Sequence, residues 1–265
     1  WRKAMMVVIK PSTGEILAVA QNGAANADGP AATTGLYPPG STFKIVTAGA
    51  AMSRDMATPN TLLACPGVME IGDRVVPNYN RFDLGVVPMS KAFANSCNTT
   101  FAELASRMPP TALTVAASQY GIGADYVIEG LTTVTGTVPP TVDLAERTED
   151  GFGQGKVLVT PFGMALTAAT VAAGKTPTPH LIAGSRTVET GAHPPADPAI
   201  LDGLRSMMRL VVTNGTAKEI DGLGEVYGKT GEAEFQGGSH AWFTGYRGDL
   251  AFAALIVGGG SSSYA

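Results

Sequence analysis

The 265-residue chain has little cysteine, little charge and no long apolar run, and each shortage removes a class of protein. Two cysteines, Cys65 and Cys97, cannot make a disulfide scaffold, and by themselves they cannot hold a structural zinc ion. One bridge and two buried thiols both remain open, because free cysteine is among the most buried residue types. Charged residues are 15% of the chain and the formal net charge is -4, with no block of like charges. This leaves no electrostatic footprint for nucleic acid. No apolar stretch approaches the ~20 residues that a membrane helix needs. The chain opens at Trp1-Arg2-Lys3 without a Met start or a signal-peptide pattern, so any targeting information is expected upstream. The three histidines, His180, His193 and His240, are too dispersed for zinc-ligand spacing. No serine sits in the G-x-S-x-G elbow of a Ser-His-Asp hydrolase. Neither a metal nor another cofactor is expected.

What is present is the composition of a packed globule, 45% hydrophobic. Met5–Ile9 and Ile16–Ala20 read as two strands around the turn Pro11-Ser12-Thr13-Gly14. The loop 21–34 leads through Tyr37-Pro38-Pro39-Gly40 into a helix expected from Ser41 to about Met52. Residues 55–88, rich in Pro, Gly and Asn, read as irregular, and so does the loop-rich stretch 122–156. Between them, Ser90–Ala94 and Thr99–Arg107 read as helices interrupted at Asn95-Ser96-Cys97-Asn98. Pro161–Ala173 is expected to be a buried helix, and Asp197-Pro198 to cap another that runs to Asn214-Gly215. Val226–Lys229, Ala241–Tyr246 and Leu250–Val257 form an antiparallel meander with Gly-rich turns. Strands at both ends predict an α+β domain in which the hairpin joins the meander in one sheet of about five strands. No internal repeat and no domain boundary is visible, so 1–265 reads as one domain.

From Leu36 to Ser53 the only charged residue is Lys44, three positions after Ser41 and hence on the same helical face. Burial lowers a lysine pKa, so the amine can take the proton a serine must lose to become a nucleophile. An isolated S-x-x-K is ordinarily a helix cap and a snorkelling lysine. Ser96-Cys97-Asn98 alone reads as a cap whose hydroxyl and amide, two apart in an extended loop, aim at one place. Lys229-Thr230-Gly231 alone reads as a strand end offering a cation and a close backbone approach. Gly228-Lys229-Thr230 mimics the end of a phosphate loop, but Leu223 stands where that loop needs Gly, which excludes nucleotide binding. Together, in the order S-x-x-K, S-x-N, K-T-G, the three elements are the set shared by class A β-lactamases and penicillin-binding proteins.

The chain resembles the transpeptidase domain of a class B penicillin-binding protein over nearly its whole length. The resemblance rests on Thr13-Gly14-Glu15-Ile16-Leu17-Ala18, Tyr37-Pro38-Pro39-Gly40-Ser41-Thr42-Phe43-Lys44, and Gly153-Gln154-Gly155 with Val159-Thr160-Pro161. It rests also on Gly215-Thr216-Ala217 and His240-Ala241-Trp242-Phe243-Thr244-Gly245. It implies a five-stranded antiparallel sheet between helices, with an adjoining mostly helical subdomain. It also implies roles: Ser41 attacks the carbonyl of a terminal D-Ala-D-Ala stem peptide, Lys44 takes its proton, and Ser96, held by Asn98 and the two lysines, relays it to the leaving nitrogen. Lys229 and Thr230 hold the substrate carboxylate, Gly231 and Glu232 complete the substrate side, and the N–H groups of Ser41 and Glu232 form the oxyanion hole. Implied partners are peptidoglycan stem peptides, β-lactam antibiotics and other cell-wall synthesis proteins, with no nucleic acid. The implied location is the extracytoplasmic face of a bacterial cell membrane, with an anchor and a further N-terminal domain outside these residues.

The resemblance leaves open a β-lactam-hydrolysing or β-lactam-sensing relative of the same fold. Glu146 and Glu149 lie where the sequence alone does not assign a water-activating base. Glu232 departs from the family, which carries Thr or Ser after K-T-G; an ionised carboxylate cannot donate to a substrate anion and is expected to turn away from it. Cys97, inside S-x-N, is expected to reach Cys65 if the intervening loop folds back.

Overall fold

The computed structural model describes residues 1–191 and 194–260. Its centre is one antiparallel sheet of five strands: β1 (Ala4–Ile9), β2 (Ile16–Gln21), β3 (Val226–Phe235), β4 (Gly238–Arg247) and β5 (Leu250–Ile256), in the order β3-β4-β5-β1-β2. The expected union of hairpin and meander is therefore found, through β1 against β5 with Met5 opposite Leu255 and Ile9 opposite Ala251. Strand alternation sets the two faces. Met5, Val7 and Ile9 lie directly opposite Leu255, Ala253 and Ala251 and are all buried, whereas Met6, Val8, Phe252 and Ala254 are only partly covered. Strands β3 and β4 run longer than their apolar cores suggest, to Phe235 and from Gly238, because the ladder pairs them residue by residue to the turn.

The helices that position the site are α1 (Lys44–Met52), α2 (Met89–Ala94), α3 (Asn98–Ser106), α4 (Ala112–Gln119), α5 (Leu144–Asp150), α6 (Pro161–Ala173) and α7 (Pro198–Asn214). Thr160 caps α6, its Oγ1 accepting from Gly163 N at 2.9 Å, with Pro161 in the first turn. The helix is buried almost all round, and its run of alanines lets it lie close against β1, β4 and β5. Each large side chain it buries, such as Phe162 or Leu166, stabilises the core by roughly 1.5–3 kcal/mol. Asp197 caps α7, which packs its Leu201, Leu204, Met208 and Val211 stripe towards β3 and α2.

Two stretches expected to be irregular are ordered. Residues 55–88 hold two small ribbons, Leu62–Cys65 with Gly85–Pro88 and Val68–Ile71 with Arg74–Pro77. Strands of four residues among breakers give too little alternation to read, and their pairing is fixed by what they pack on. Stretch 122–156 contains α5, capped by Asp143 through Glu146 N. The expected helix from Ser41 opens as a 3-10 turn over Gly40–Phe43 and becomes α-helical at Lys44. Cys65 and Cys97 are joined in a disulfide, so the loop does fold back. Among the described residues no helix is long and apolar enough to cross a membrane.

Candidate active site

Ser41 sits in the 3-10 turn that lies directly on β3. Gly40 has φ +53°, a backbone state that favours glycine, and a Cβ there would strike the carbonyl of Glu232. A Cβ on Gly231 would in turn stand 2.8 Å from Thr42 Cγ2 and 2.9 Å from Pro39 O. The turn is tied down from three sides: Gly40 N–H donates to Gly153 O (2.9 Å), Trp242 Nε1 to Pro38 O (3.0 Å), and Tyr37 exchanges backbone hydrogen bonds with Val159. The serine is thereby held with its side chain toward α1 and the break between α2 and α3.

Lys44 is fully buried, and its amine reaches four oxygens: Asn98 Oδ1 at 2.7 Å, Ser41 Oγ at 2.8 Å, Ser96 O at 2.8 Å and Ser96 Oγ at 3.3 Å. Asn98 Oδ1 and Ser96 O can only accept. A neutral amine that spends its two N–H bonds on them has its lone pair left for a hydroxyl, and Ser41 Oγ is the nearer one. Burial, and then the charge of Lys229, hold the Lys44 amine well below the ordinary lysine range. Lys229, also fully buried, donates to Ser96 Oγ (3.0 Å) and Thr230 O (2.9 Å), and burial lowers it to about 7. Ser96 Oγ thus lies between the two amines. Phe101 and Phe93 face them at 5.7 and 5.6 Å, giving each a partner when protonated.

The reason Ser96 and Asn98 converge differs from the expected one. Ser96 is not extended but has φ +60°, and Asn98 is the first residue of α3. A serine in the left-handed region costs of order 1 kcal/mol and persists where its surroundings fix it. Asn78, buried in the ribbon region, does much of that fixing: its Oδ1 accepts from Asn98 N (2.8 Å) and Thr99 N (3.1 Å), and its Nδ2 donates to Pro66 O and Phe82 O. Asn98 Nδ2 donates to Pro77 O, and the Cys65–Cys97 bridge binds the same segment. Nothing in the sequence singles out Asn78, which acts 20 residues away.

On the substrate side Thr230 Oγ1 lies 2.5 Å from Thr216 Oγ1, and Thr216 N–H donates to Ala94 O (3.1 Å). Thr216 belongs to a stretch that carried the resemblance but had no assigned role. Glu232 is turned across the hairpin, its Oε1 accepting from Ser239 Oγ at 2.6 Å. Glu146 is paired with Lys156 and Glu149 with Arg74. Asp150, buried, accepts from Thr141 Oγ1 (2.7 Å) and Lys156 N (2.9 Å), and burial raises its carboxyl. It closes the turn of Gly153-Gln154-Gly155, whose Gly153 carbonyl holds Gly40. His240 Nδ1 accepts from Gly258 N; His193 lies outside the described residues.

Residues 4–265 match the family described as penicillin binding protein transpeptidase domain. Peptidoglycan D,D-transpeptidase PbpA of Mycobacterium tuberculosis is 32% identical over 210 residues, 68% of this chain and 43% of that protein. The chain thus spans less than half the length of this curated relative. The crystal structure of the D,D-transpeptidase domain of a peptidoglycan glycosyltransferase from Eggerthella lenta superposes with a TM-score of 0.86 at 27% identity, covering 99% of this chain and 75% of that one. The ceftriaxone acyl-enzyme complex of penicillin-binding protein A from M. tuberculosis gives 0.86 at 26% identity, covering 99% and 71%. A match over nearly every residue, on the same five-stranded fold, shows that the chain belongs to the family of penicillin-binding protein transpeptidase domains.

Proposed function

We propose that the chain is the crosslinking domain of a peptidoglycan D,D-transpeptidase, acting over residues 1–265 at the extracytoplasmic face of a bacterial membrane beside other cell-wall synthesis proteins. The observation that carries this reading is the 2.8 Å contact of Lys44 Nζ with Ser41 Oγ, made by an amine whose other close partners include two pure acceptors. Ser41 Oγ attacks the carbonyl carbon of the penultimate D-alanine as its proton passes to Lys44 Nζ. The N–H groups of Ser41 and Glu232 face the oxyanion, since Gly40 and Gly231 bring turn and strand into contact. As the C–N bond breaks, Ser96 Oγ, between both lysines, gives its proton to the departing D-alanine nitrogen and takes up the one held by Lys44 Nζ. An amine of a second stem peptide then attacks the ester and the same groups act in reverse. A β-lactam acylates Ser41 because its strained amide occupies the place of the dipeptide.

Intact-mass measurement with a penicillin tests the reading: one adduct on the wild type and none on Ser41→Ala is expected. Absence of an adduct on the wild type refutes acyl transfer, and an adduct that persists in Ser41→Ala refutes the nucleophile. A hydrolytic relative needs a carboxylate aimed at the ester, and the salt bridges of Glu146 and Glu149 weigh against either. A penicilloyl adduct lasting many minutes fits the transpeptidase, while release within seconds fits the hydrolase. A sensor gives the lasting adduct but does not turn over D-Ala-D-Ala peptides or thioester analogues.

A further inference from the structure

Asp150 is a buried carboxylate that no step of acyl transfer uses. A carboxylate taken out of water is costly unless hydrogen bonds or a cation offset the loss. Among the described residues no lysine or arginine forms a salt bridge with it. Its oxygens are spent instead on the chain around it: Oδ1 accepts from Lys156 N (2.9 Å) and Oδ2 from Thr141 Oγ1 (2.7 Å). Asp150 ends α5, and the turn that follows folds back over its carboxylate, so closely that a Cβ on Gly155 would stand 2.4 Å from Oδ1. Its backbone carbonyl accepts from Gly153 N–H (3.0 Å), so both ends of the turn are gathered on one residue. That turn is what the nucleophile rests against. Gly153 O accepts from Gly40 N–H (2.9 Å), and a Cβ on Gly153 would stand 1.9 Å from Gly40 O. Gly151 O accepts from Thr47 Oγ1 (2.8 Å), and Thr47 lies three positions after Lys44 on α1. The turn therefore touches both the residue before Ser41 and the helix that carries Lys44. A glycine such as Gly40 has many backbone states open to it, so its place depends on what it is bonded to.

We propose that Asp150 is a positioning residue for acyl transfer: its bonds to Lys156 N and Thr141 Oγ1 fix the Gly153 carbonyl, which in turn fixes the Gly40–Ser41 peptide and the aim of Ser41 Oγ at Lys44. The proposal rests on the acyl-transfer reading of Ser41. Its effect falls on rate rather than on affinity. Lys229 and Thr230, the groups assigned to the substrate carboxylate, stand on β3 outside the turn, whereas a small displacement of a nucleophile is costly to the chemical step.

The test measures acylation of Ser41 over a range of benzylpenicillin concentrations, which separates the noncovalent dissociation constant from the first-order acylation rate, on the wild type, Asp150→Ala and Asp150→Asn. Asparagine can keep both contacts: its Oδ1 accepts from Lys156 N, and its Nδ2 donates to Thr141 Oγ1, whose own proton turns to Pro139 O at 3.1 Å. In Asp150→Ala the acylation rate is expected to fall about tenfold while the dissociation constant stays within about twofold, and Asp150→Asn should return the rate to within about threefold of the wild type. A purely structural role lowers the melting temperature of Asp150→Ala and leaves the acylation rate of the folded protein unchanged. That outcome overturns the proposal while leaving acyl transfer intact, and so does an Asp150→Asn variant as slow as Asp150→Ala. If Asp150→Ala does not fold, Thr141→Val, which removes one of the two bonds, takes its place: a rate about threefold lower at an unchanged dissociation constant supports the proposal, and an unchanged rate overturns it. If benzylpenicillin does not acylate wild-type Ser41, the acyl-transfer reading falls and the proposal falls with it.

Discussion

On one side of the site Lys44 is gripped by groups from three segments, the Ser41 turn, the α2–α3 break and the first residue of α3, while on the other side Thr230 meets a single hydroxyl and a carboxylate leans away across the hairpin. The first side has few conformational choices, because Ser41, Lys44, Ser96, Asn98 and Lys229 each serve another's hydrogen bonding. The second side is built from a strand face, where a substitution changes a ligand contact without unseating the rest. In the proposed reading the acylation chemistry falls on the over-determined half and the carboxylate contact on the half that tolerates change.

The sharpest way to break that comparison is Lys44→Met, which keeps bulk and removes the base. Acylation of Ser41 should fall about 10³-fold, within the range for loss of a general base, while thermal unfolding shows an intact fold; a loss below tenfold would mean that another group deprotonates Ser41. Next is Asn78→Ala, which uncaps α3 and removes a hydrogen bond from each of four backbone groups, while Pro66 O keeps its bond from Thr99 Oγ1. It should cost roughly 2–3 kcal/mol in denaturant unfolding, and acylation should slow as Ser96 loses its fixed backbone. A smaller effect comes from Lys229. Its folded pKa of about 7 lies below the unfolded lysine value, so between those pH values the unfolded chain binds more protons and stability rises with pH. Melting temperature should therefore climb from pH 7 to 9 in the wild type, and Lys229→Met should flatten that slope. Smallest is Thr216→Val, expected to slow acylation by carboxylate-bearing donors only several-fold, since Thr230 keeps its own hydroxyl.

The sequence carried the sheet because Met5–Ile9, Ile16–Ala20 and the C-terminal runs are short apolar stretches bounded by turn residues. It also carried Ser41, Lys44, Ser96, Asn98, Lys229 and Thr230 as three separated motifs, and the fold brings these six together. What it hid is the scaffold of that cluster. Asn78, Thr216 and Ser239 make bonds to residues remote in the chain or across a turn, and single polar residues with such partners have no local signature. The ribbons of 55–88 were illegible for the same reason: their order comes from the disulfide, Asn78 and α3 rather than from their own propensity. The left-handed conformation of Ser96 has no signature in the sequence, because it is disfavoured locally and survives only through tertiary contacts.

The claim at the centre is that Lys44 is neutral at working pH, and NMR of the lysine side chains labelled at Cε reads this directly. One resonance that vanishes in Lys44→Met should titrate well below the ordinary lysine range, distinct from a second that titrates near 7 and vanishes in Lys229→Met. A Lys44 resonance that titrates near the ordinary value of 10.5 would contradict the proposed activation of Ser41.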